Sequence, residues 1–441
     1  MALSNIERSK VLKNPQKSEK IRYEDLILDD RVHSSLYTDQ DVFEDEMTSI
    51  FRNGWVFICH ESEIPKPGDF VRRNVGFDPV FAIRARDGEI SVIVNRCAHR
   101  GNIICQEDHG NAKALVCQYH GWAYDTKGAL IDVPYPAGFK GDFSCHGLER
   151  LPKVDSYQGF VFASFNPAVP SLLDHLGRAT ELIDRAVEMS PVGRISLTGG
   201  WIQHQLNCNW KMLPENDTDG YHVNFVHPSF AQAIRSNYDI AALQDEDSQK
   251  SETKDWGNGH TEINFSPTYS RVLEWFGCGE DRYPAYTKAI RDAYGSEKGD
   301  RILVNGPPHA VIFPNLFLGE MNIVRFEPVA PGVCLHVHTP MYLEGVDDDV
   351  NRRILLQSEG ALGPAAFLLA DDSVIAERTQ VAMAGRGGWL DLSRGSEREV
   401  TDEDGVIVGN LTDETSNRGF WRQYKKVMRN SNRPSPVVAA A

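Results

Sequence analysis

Two short stretches, Cys97-Ala98-His99 and Cys117-Gln118-Tyr119-His120, constrain this chain more than any other feature, because each pairs one thiol with one imidazole. Thiolates and imidazoles are metal ligands, and a shared metal group forces the two segments to converge as the tips of neighbouring loops. The bare pattern suits a zinc ion. It equally suits a two-iron cluster with two thiolates on one iron and two imidazoles on the other, the arrangement that raises the reduction potential above that of all-cysteine clusters. The flanks favour the cluster: Gly101, Gly110, Gly121 and Gly128 allow backbone N–H groups to approach the cluster sulfurs. His109, Cys105 and Cys145 fall off the pattern and read as ordinary loop or core residues.

The surroundings read as a small all-β domain between Asp69 and Phe165. Its strands are expected at Phe81–Arg84, Ser91–Asn95, Ala114–Cys117 and Gly159–Ser164, separated by Gly, Pro and Asp turns. Asn166-Pro167 and Val169-Pro170 mark a boundary, and Ser171–Glu188 has the apolar spacing of an amphipathic helix. Ser196–Leu206 alternates as a strand, Gln244–His260 reads as a polar, exposed excursion, and Val311–Val324 and Val333–Tyr342 return to strand patterning. Phe420, Trp421, Tyr424, Val427 and Met428 share one face of a closing helix. The expected division is an N-terminal helical segment at 1–42 packed on the catalytic domain, a cluster domain at 43–165 and a catalytic domain at 166–441.

Composition removes several classes of function. With 62 acidic against 46 basic residues the net charge is −16, and no basic run follows a phosphate backbone, so nucleic acid is not an expected partner. The first twenty residues are too polar for a secretory signal, and the longest apolar run, Ala361–Ala370, is too short to span a membrane, which reads as a soluble, cytoplasmic protein. The eight cysteines are few and irregularly spaced, which argues against a disulfide framework.

A second constellation separates an enzyme from a simple electron carrier. In Asn209–Phe230, His222 and His227 flank an apolar stretch, and Asp219 lies three residues before His222, placing it on the same face if the segment is helical. Two imidazoles and one carboxylate on one face of an iron leave positions open for O2 and substrate. Taken alone, the two histidines read as well as half-buried residues near a helix end. A five-residue step does not keep both on one face of a regular helix, so the helix is expected to distort or end between them, with Pro228 helping to stop it.

Several residues carry a resemblance to a known family. Cys97, His99, Arg100-Gly101, Gly110-Asn111, Cys117 and Tyr119-His120-Gly121-Trp122 resemble the Rieske oxygenase signature. Asn209-Trp210-Lys211, Glu215-Asn216, Asp219-Gly220-Tyr221-His222 and His227 resemble the catalytic motif of aromatic-ring-hydroxylating dioxygenase large (alpha) subunits. The spacing from Asn216 to His222 is similar to the benzoate-, anthranilate- and salicylate-type group, which points to an aromatic carboxylate as substrate.

The resemblance implies an α+β fold: a β-rich Rieske domain inserted in a catalytic domain with an antiparallel sheet flanked by helices. It implies a [2Fe–2S] cluster on Cys97, His99, Cys117 and His120, and a mononuclear Fe(II) on His222, His227 and Asp372. Asp372 is favoured over its neighbour Asp371 by family correspondence, and adjacent helical residues point about 100° apart. Asp219 would bridge electrons from a neighbouring subunit's cluster. Asn216, His309 and Asn315 would line the substrate pocket, although His309 and Asn315 read equally as hydrogen-bonded core or turn residues.

The implied partners are a small beta subunit in an α3β3 assembly built on an alpha trimer, O2, an aromatic substrate, and a reductase with or without a ferredoxin. The chain has no Gly-x-Gly-x-x-Gly strand-turn-helix of its own, so NAD(P)H is used by a separate protein. The implied product is a cis-dihydrodiol. A monooxygenase on the same irons, such as a salicylate-type hydroxylase or a demethylase, differs only in where the oxygen atoms go. A pure carrier would hold no second iron, and a zinc-stabilised module would be colourless.

Overall fold

Short β-rich segments between Val56 and Ser164 close into three small antiparallel sheets in this computed structural model, which describes residues 21–143, 145–234, 250–385 and 387–429. The largest has the order Ile90–Val94, Asp78–Arg84, Asp69–Val75, His109–Asn111. The strands expected from the sequence are present, with shifted ends. Cys97 follows the strand Ile90–Val94, and Cys117 lies between the paired strands Leu115–Val116 and Ala123–Tyr124. Phe81, Ile83, Ile93, Trp122 and Tyr124 form an apolar floor beneath the two loops.

The catalytic part is built on a nine-stranded sheet whose neighbours all pair antiparallel. Its order is Ile202–Leu206, Val333–Pro340, Asn322–Ala330, Leu316–Gly319, His309–Ile312, Thr261–Asn264, Glu252–Asp255, Ile407–Asn410, Val400–Thr401. The result is an α+β fold, as expected. Ala310, Ile312, Leu316, Leu318 and Ile323 face one core, whereas Val311, Phe317, Val324 and Phe326 face the other. This is the period-2 alternation of strands buried on both faces.

Several local expectations need correction. Ser196–Leu206 is two strands in different sheets, because Gly199 and Gly200 turn the chain and Gly200 takes a φ of 84°. Residues 250–260 are no exposed excursion: Glu252–Asp255 is an internal strand, with Thr253 and His260 buried; residues 244–249 lie outside the described residues. The expected helix Ser171–Glu188 breaks at Gly177, with a φ of 50°, into Leu172–Leu176 and Thr180–Glu188. The closing helix runs Thr415–Met428 and buries Phe420, Trp421, Tyr424 and Met428.

The N-terminal segment is only partly helical where described. Tyr23–Leu26 is a short helix, and Arg31–His33 pairs as a strand with Trp389–Asp391. The boundary expected at residue 42 falls inside a helical stretch from Gln40 to Arg52 whose far end packs on the catalytic part, Phe51 meeting Trp210 at 5.1 Å between ring centres. Among the described residues no helix is long and apolar enough to cross a membrane.

Within this contact Lys211 and Glu46 are fully buried and paired at 2.5 Å. The Glu46 carboxylate also accepts hydrogen bonds from Trp210 Nε1 at 2.9 Å and the Tyr424 hydroxyl at 2.6 Å. Burial pulls the Lys211 ammonium below its ordinary range, and Glu46 opposes that pull. Removing one partner strands a buried charge, which typically costs about 3–5 kcal/mol, whereas removing both with well-packed apolar groups costs far less. Glu46→Ala is expected to destabilise the protein by about 3–5 kcal/mol, and Glu46→Leu combined with Lys211→Met by clearly less. Denaturant unfolding monitored by tryptophan fluorescence checks the order; equal losses would show that charge burial is not the cause.

Candidate metal centres

The two Cys/His loops share one backbone design. Cys97 N–H donates to Asn102 O at 2.8 Å and Gly101 N–H to Cys97 O at 2.9 Å; Cys117 N–H donates to Trp122 O at 2.8 Å and Gly121 N–H to Cys117 O at 2.9 Å. Gly101 and Gly121 take φ values of 75° and 74°, which side-chain-bearing residues adopt only with strain. Both thiols are buried. The Tyr124 hydroxyl lies 3.2 Å from Cys97 Sγ. Burial pushes the Cys117 thiol up, but hydrogen bonds from the Tyr119 and His120 amides, Cys97 and Asn102 outweigh it and hold Cys117 below the ordinary thiol range.

The imidazoles of His99 and His120 face each other with ring centres 4.5 Å apart, and His99 stacks on Trp122. His120 is exposed. Two buried thiols on one side and two imidazoles on the other fit the donor set of a mixed-ligand [2Fe–2S] group.

The second site is assembled from three segments. The helix Met212–Asp217 ends at Thr218, which is pinned by its hydroxyl to Pro214 O and by Ser416 to its own carbonyl. The connection to His222 is not helical, so Asp219 and His222 do not share a helical face as expected. Gly220 passes so close to Leu411 that a Cβ would lie 2.4 Å from its carbonyl oxygen. Asp219 Oδ1 accepts from Tyr221 N–H at 2.6 Å, and this local turn brings its other oxygen 3.3 Å from His222 Nδ1. The helix Val223–Val226 then carries His222 and His227 at its two ends, and Pro228 opens the next helix instead of merely stopping this one.

The helix Leu369–Met383 brings its first-turn acids to the histidines. Asp372 Oδ1 lies 3.6 Å from His222 Nε2 and 3.1 Å from His227 Nε2. Asp371, whose side chain is 39% exposed against 16% for Asp372, lies 3.5 Å from His227 Nδ1. His222, His227 and Asp372 each offer a ligand atom, all within 4.8 Å of one another.

Electrostatics favour a cation here. Burial alone would lower the His227 pKa, but Asp372 and Asp371 raise it above the ordinary value. Burial, reinforced by Asp372, pushes the Asp217 carboxyl well above the usual range, and burial, reinforced by Asp219, raises Glu414 to about 7. Carboxylates this crowded are the environment that a divalent ion relieves.

The remaining expected residues separate. Asn216 reaches the site, its Nδ2 lying 3.3 Å from His222 Nε2 and 3.5 Å from Asp372 Oδ1. His309 lies beside it, with Nε2 2.8 Å from the Asp217 carbonyl, which accepts its N–H, and its ring against Phe317. Asn315 is occupied elsewhere. Its amide accepts from Phe57 N–H at 2.9 Å and donates to Phe57 O at 3.1 Å, stitching the two parts of the chain together as a buried, hydrogen-bonded core residue. The reading by sequence missed Asp217; its signal was an acid directly after Asn216.

Comparison with known proteins agrees with both centres. Residues 54–157 match the Rieske [2Fe-2S] domain, and residues 192–430 match the catalytic domain of the ring-hydroxylating alpha subunit. The chain is 30% identical to the large oxygenase component of the 2,4-dinitrotoluene dioxygenase system of Burkholderia sp. (strain RASC), covering 90% of each. It is 31% identical to the N,N-dimethyl phenylurea N-demethylase subunit alpha of Sphingobium sp. (strain YBL2), over 91% of this chain and 92% of that one. Naphthalene 1,2-dioxygenase with indole bound in the active site superposes with a TM-score of 0.81 at 26% identity, covering 93% of this chain and 96% of that one.

Asp372 lies against both histidines and Asp371 against His227. Asp372→Ala is expected to lose the mononuclear iron on dialysis against a mild chelator while keeping the red-brown cluster, and Asp371→Ala to retain both. Iron per chain and the visible spectrum report the result; iron lost from the Asp371 variant alone would reverse the assignment.

Proposed function

The chain belongs to the ring-hydroxylating oxygenase alpha subunits with a Rieske [2Fe-2S] domain, and from that premise we propose that it is a terminal oxygenase that cis-dihydroxylates an aromatic carboxylate. The balance is arene, O2, NAD(P)H and one proton giving a cis-dihydrodiol and NAD(P)+, with both oxygen atoms on the ring. The observation that carries this reading is the convergence of His222, His227 and Asp372 in a chain that also presents the two Cys/His loops.

Cys97, His99, Cys117 and His120 would hold the cluster, whose chemistry would be to take up and pass on single electrons. His222, His227 and Asp372 would hold the iron, and the chemistry it would supply when bound is activation of O2. The chain's own groups do the rest. The Asn216 amide lies against both His222 and Asp372 and orients them. His309 fixes the end of the Asn216-bearing helix through the Asp217 carbonyl. Val311 and Phe317, buried on the same sheet face as His309, keep water from the reacting ring.

Asp219 touches His222 and retains partial exposure, so it is positioned to meet the exposed His120 side of a neighbouring subunit's cluster domain. This fits a trimer of alpha subunits, with a small beta subunit completing α3β3 and a separate reductase, with or without a ferredoxin, supplying electrons.

The carboxylate preference rests on the Asn216-to-His222 spacing. The demethylase at 31% identity gives specific support to a second reading, monooxygenation on the same irons.

Reconstitution with a reductase, an aromatic acid and 18O2 is expected to give a diol carrying two labelled atoms; a single labelled atom would establish the monooxygenase reading. Asp219→Asn is expected to keep both metal centres while slowing substrate-dependent cluster reoxidation about 10–100-fold. Reoxidation at the wild-type rate would remove Asp219 from the electron path.

A further inference from the structure

Three histidines outside both metal centres stand together on the catalytic sheet. His336 and His338 lie two residues apart on the strand Val333–Pro340, and His204 pairs across from His336. Ring centres are 5.4 Å apart for His204 and His338, 5.6 Å for His336 and His338, and 6.2 Å for His204 and His336.

Strand register puts this cluster on the iron-site face. Residues directly opposite one another in antiparallel strands share a face. Val311 pairs with Phe317, Phe317 with Val324, and Val324 with His338; Phe326 pairs with His336. His309, two residues before Val311, shares that face and touches the Asp217 carbonyl beside the iron site. From the strand of Val311 to that of His338 is three strand spacings, about 14 Å. His204 donates to the Leu362 carbonyl, at the end of the helix Asp348–Leu362 that precedes the Asp372-bearing helix. One face therefore carries the oxidising end and, across Phe317 and Val324, a polar end.

The polar end is unsatisfied. His336 is 1% exposed and His338 0%. Among the described residues no group pairs with His336 Nδ1, with either ring nitrogen of His338, or with His204 Nε2. Buried polar atoms of this kind normally have partners. Burial and the neighbouring imidazoles hold His338 at about 4 and His336 well below the ordinary value, so both are neutral, each with one donor and one acceptor nitrogen. The rings of His204 and His338 lie parallel, at 5°, and do not converge on a point as metal ligands do.

We infer that His204, His336 and His338 form a polar subsite of the substrate pocket, which receives an oxygen-bearing substituent on the ring opposite the one that is oxidised. This rests on the oxygenase reading above and restates its substrate class as extended aromatics whose oxygen substituent, a carboxylate or a neutral oxygen, lies on the far ring. Among the described residues the buried arginines Arg73, Arg325 and Arg418 already pair with Glu63, Glu327 and Glu399, so imidazole donors are the groups available on this face.

The test uses holoenzyme with its electron donors and three probes: naphthalene, 2-naphthol and 2-naphthoate. Wild type is expected to bind at least one oxygenated probe about tenfold more tightly than naphthalene, by equilibrium dialysis and by KM, and to oxidise it on the unsubstituted ring. Which probe gains separates a carboxylate from a neutral oxygen. His338→Phe should erase the preference and the regioselectivity, weakening the favoured oxygenated probe far more than naphthalene, and His338→Gln should restore part of both. If His338→Phe fails to fold, judged by melting and the cluster spectrum, the half-buried His204→Phe takes its place. Equal affinity of wild type for all three probes, or an equal loss for all three in the variants, would overturn the subsite. Absence of any arene oxidation would instead overturn the oxygenase reading, and the dialysis result would still decide the subsite.

Discussion

The Glu46 carboxylate is the fixed point from which the catalytic site is positioned. It joins three stretches distant in sequence: the N-terminal helical stretch that carries it, Trp210 and Lys211 at the start of the catalytic helix, and Tyr424 on the closing helix. An apolar contact of the same area would stabilise as much but would tolerate sliding, whereas three directional bonds to one carboxylate specify a register. Just upstream, Asn209 Nδ2 donates to Tyr37 O and Pro331 O. The helix is thus fixed at its first residues from several sides, and Asn216 reaches His222 and Asp372 at its other end.

How much of this was legible depends on the range over which each constraint acts. The Cys/His loops were legible because a metal group demands particular residue types at local spacing, and the positive φ at Gly101 and Gly121 demands glycine. The ends of Val223–Val226 were legible for the same reason, since a five-residue step defeats a regular helix. The non-helical path from Asp219 to His222 was not, because it depends on Gly220 passing against Leu411, a residue far away in sequence. Glu252–Asp255 looked solvated because its acids and lysine are polar, yet it lies between two other strands, and sheet neighbours from remote segments override local polarity. Asn315 shows the same limit: nothing near it in sequence announces that its amide will close on Phe57.

The iron site illustrates a conflict that packing alone would avoid. Asp219, Asp371 and Asp372 lie against two histidines, Asp217 acts on Asp372 and Glu414 on Asp219, and burial raises the Asp217 and Glu414 carboxyls. Like charges gathered in this way repel one another, and a cation held between them would relieve the repulsion. The rigid elements on either side absorb the repulsion. Asp372 opens a fifteen-residue helix, and Thr218 is held by Pro214, Thr261 and Ser416.

The sheet sorts its residues between two faces by simple periodicity. Because side chains alternate, a strand that carries His309 toward the iron also commits Val311 to that face and Ala310 and Ile312 to the opposite core. Adding strands sideways then extends the same face in steps of about 4.8 Å without altering His222, His227 and Asp372, which lie at helix ends and in a helix first turn and not on the sheet. A one-residue slip anywhere in this ladder would exchange the two faces, turning the apolar core of Ala310, Ile312 and Leu318 toward the iron. The continuous register from Thr261 to His338 is thus as much a part of the active site as the ligands themselves.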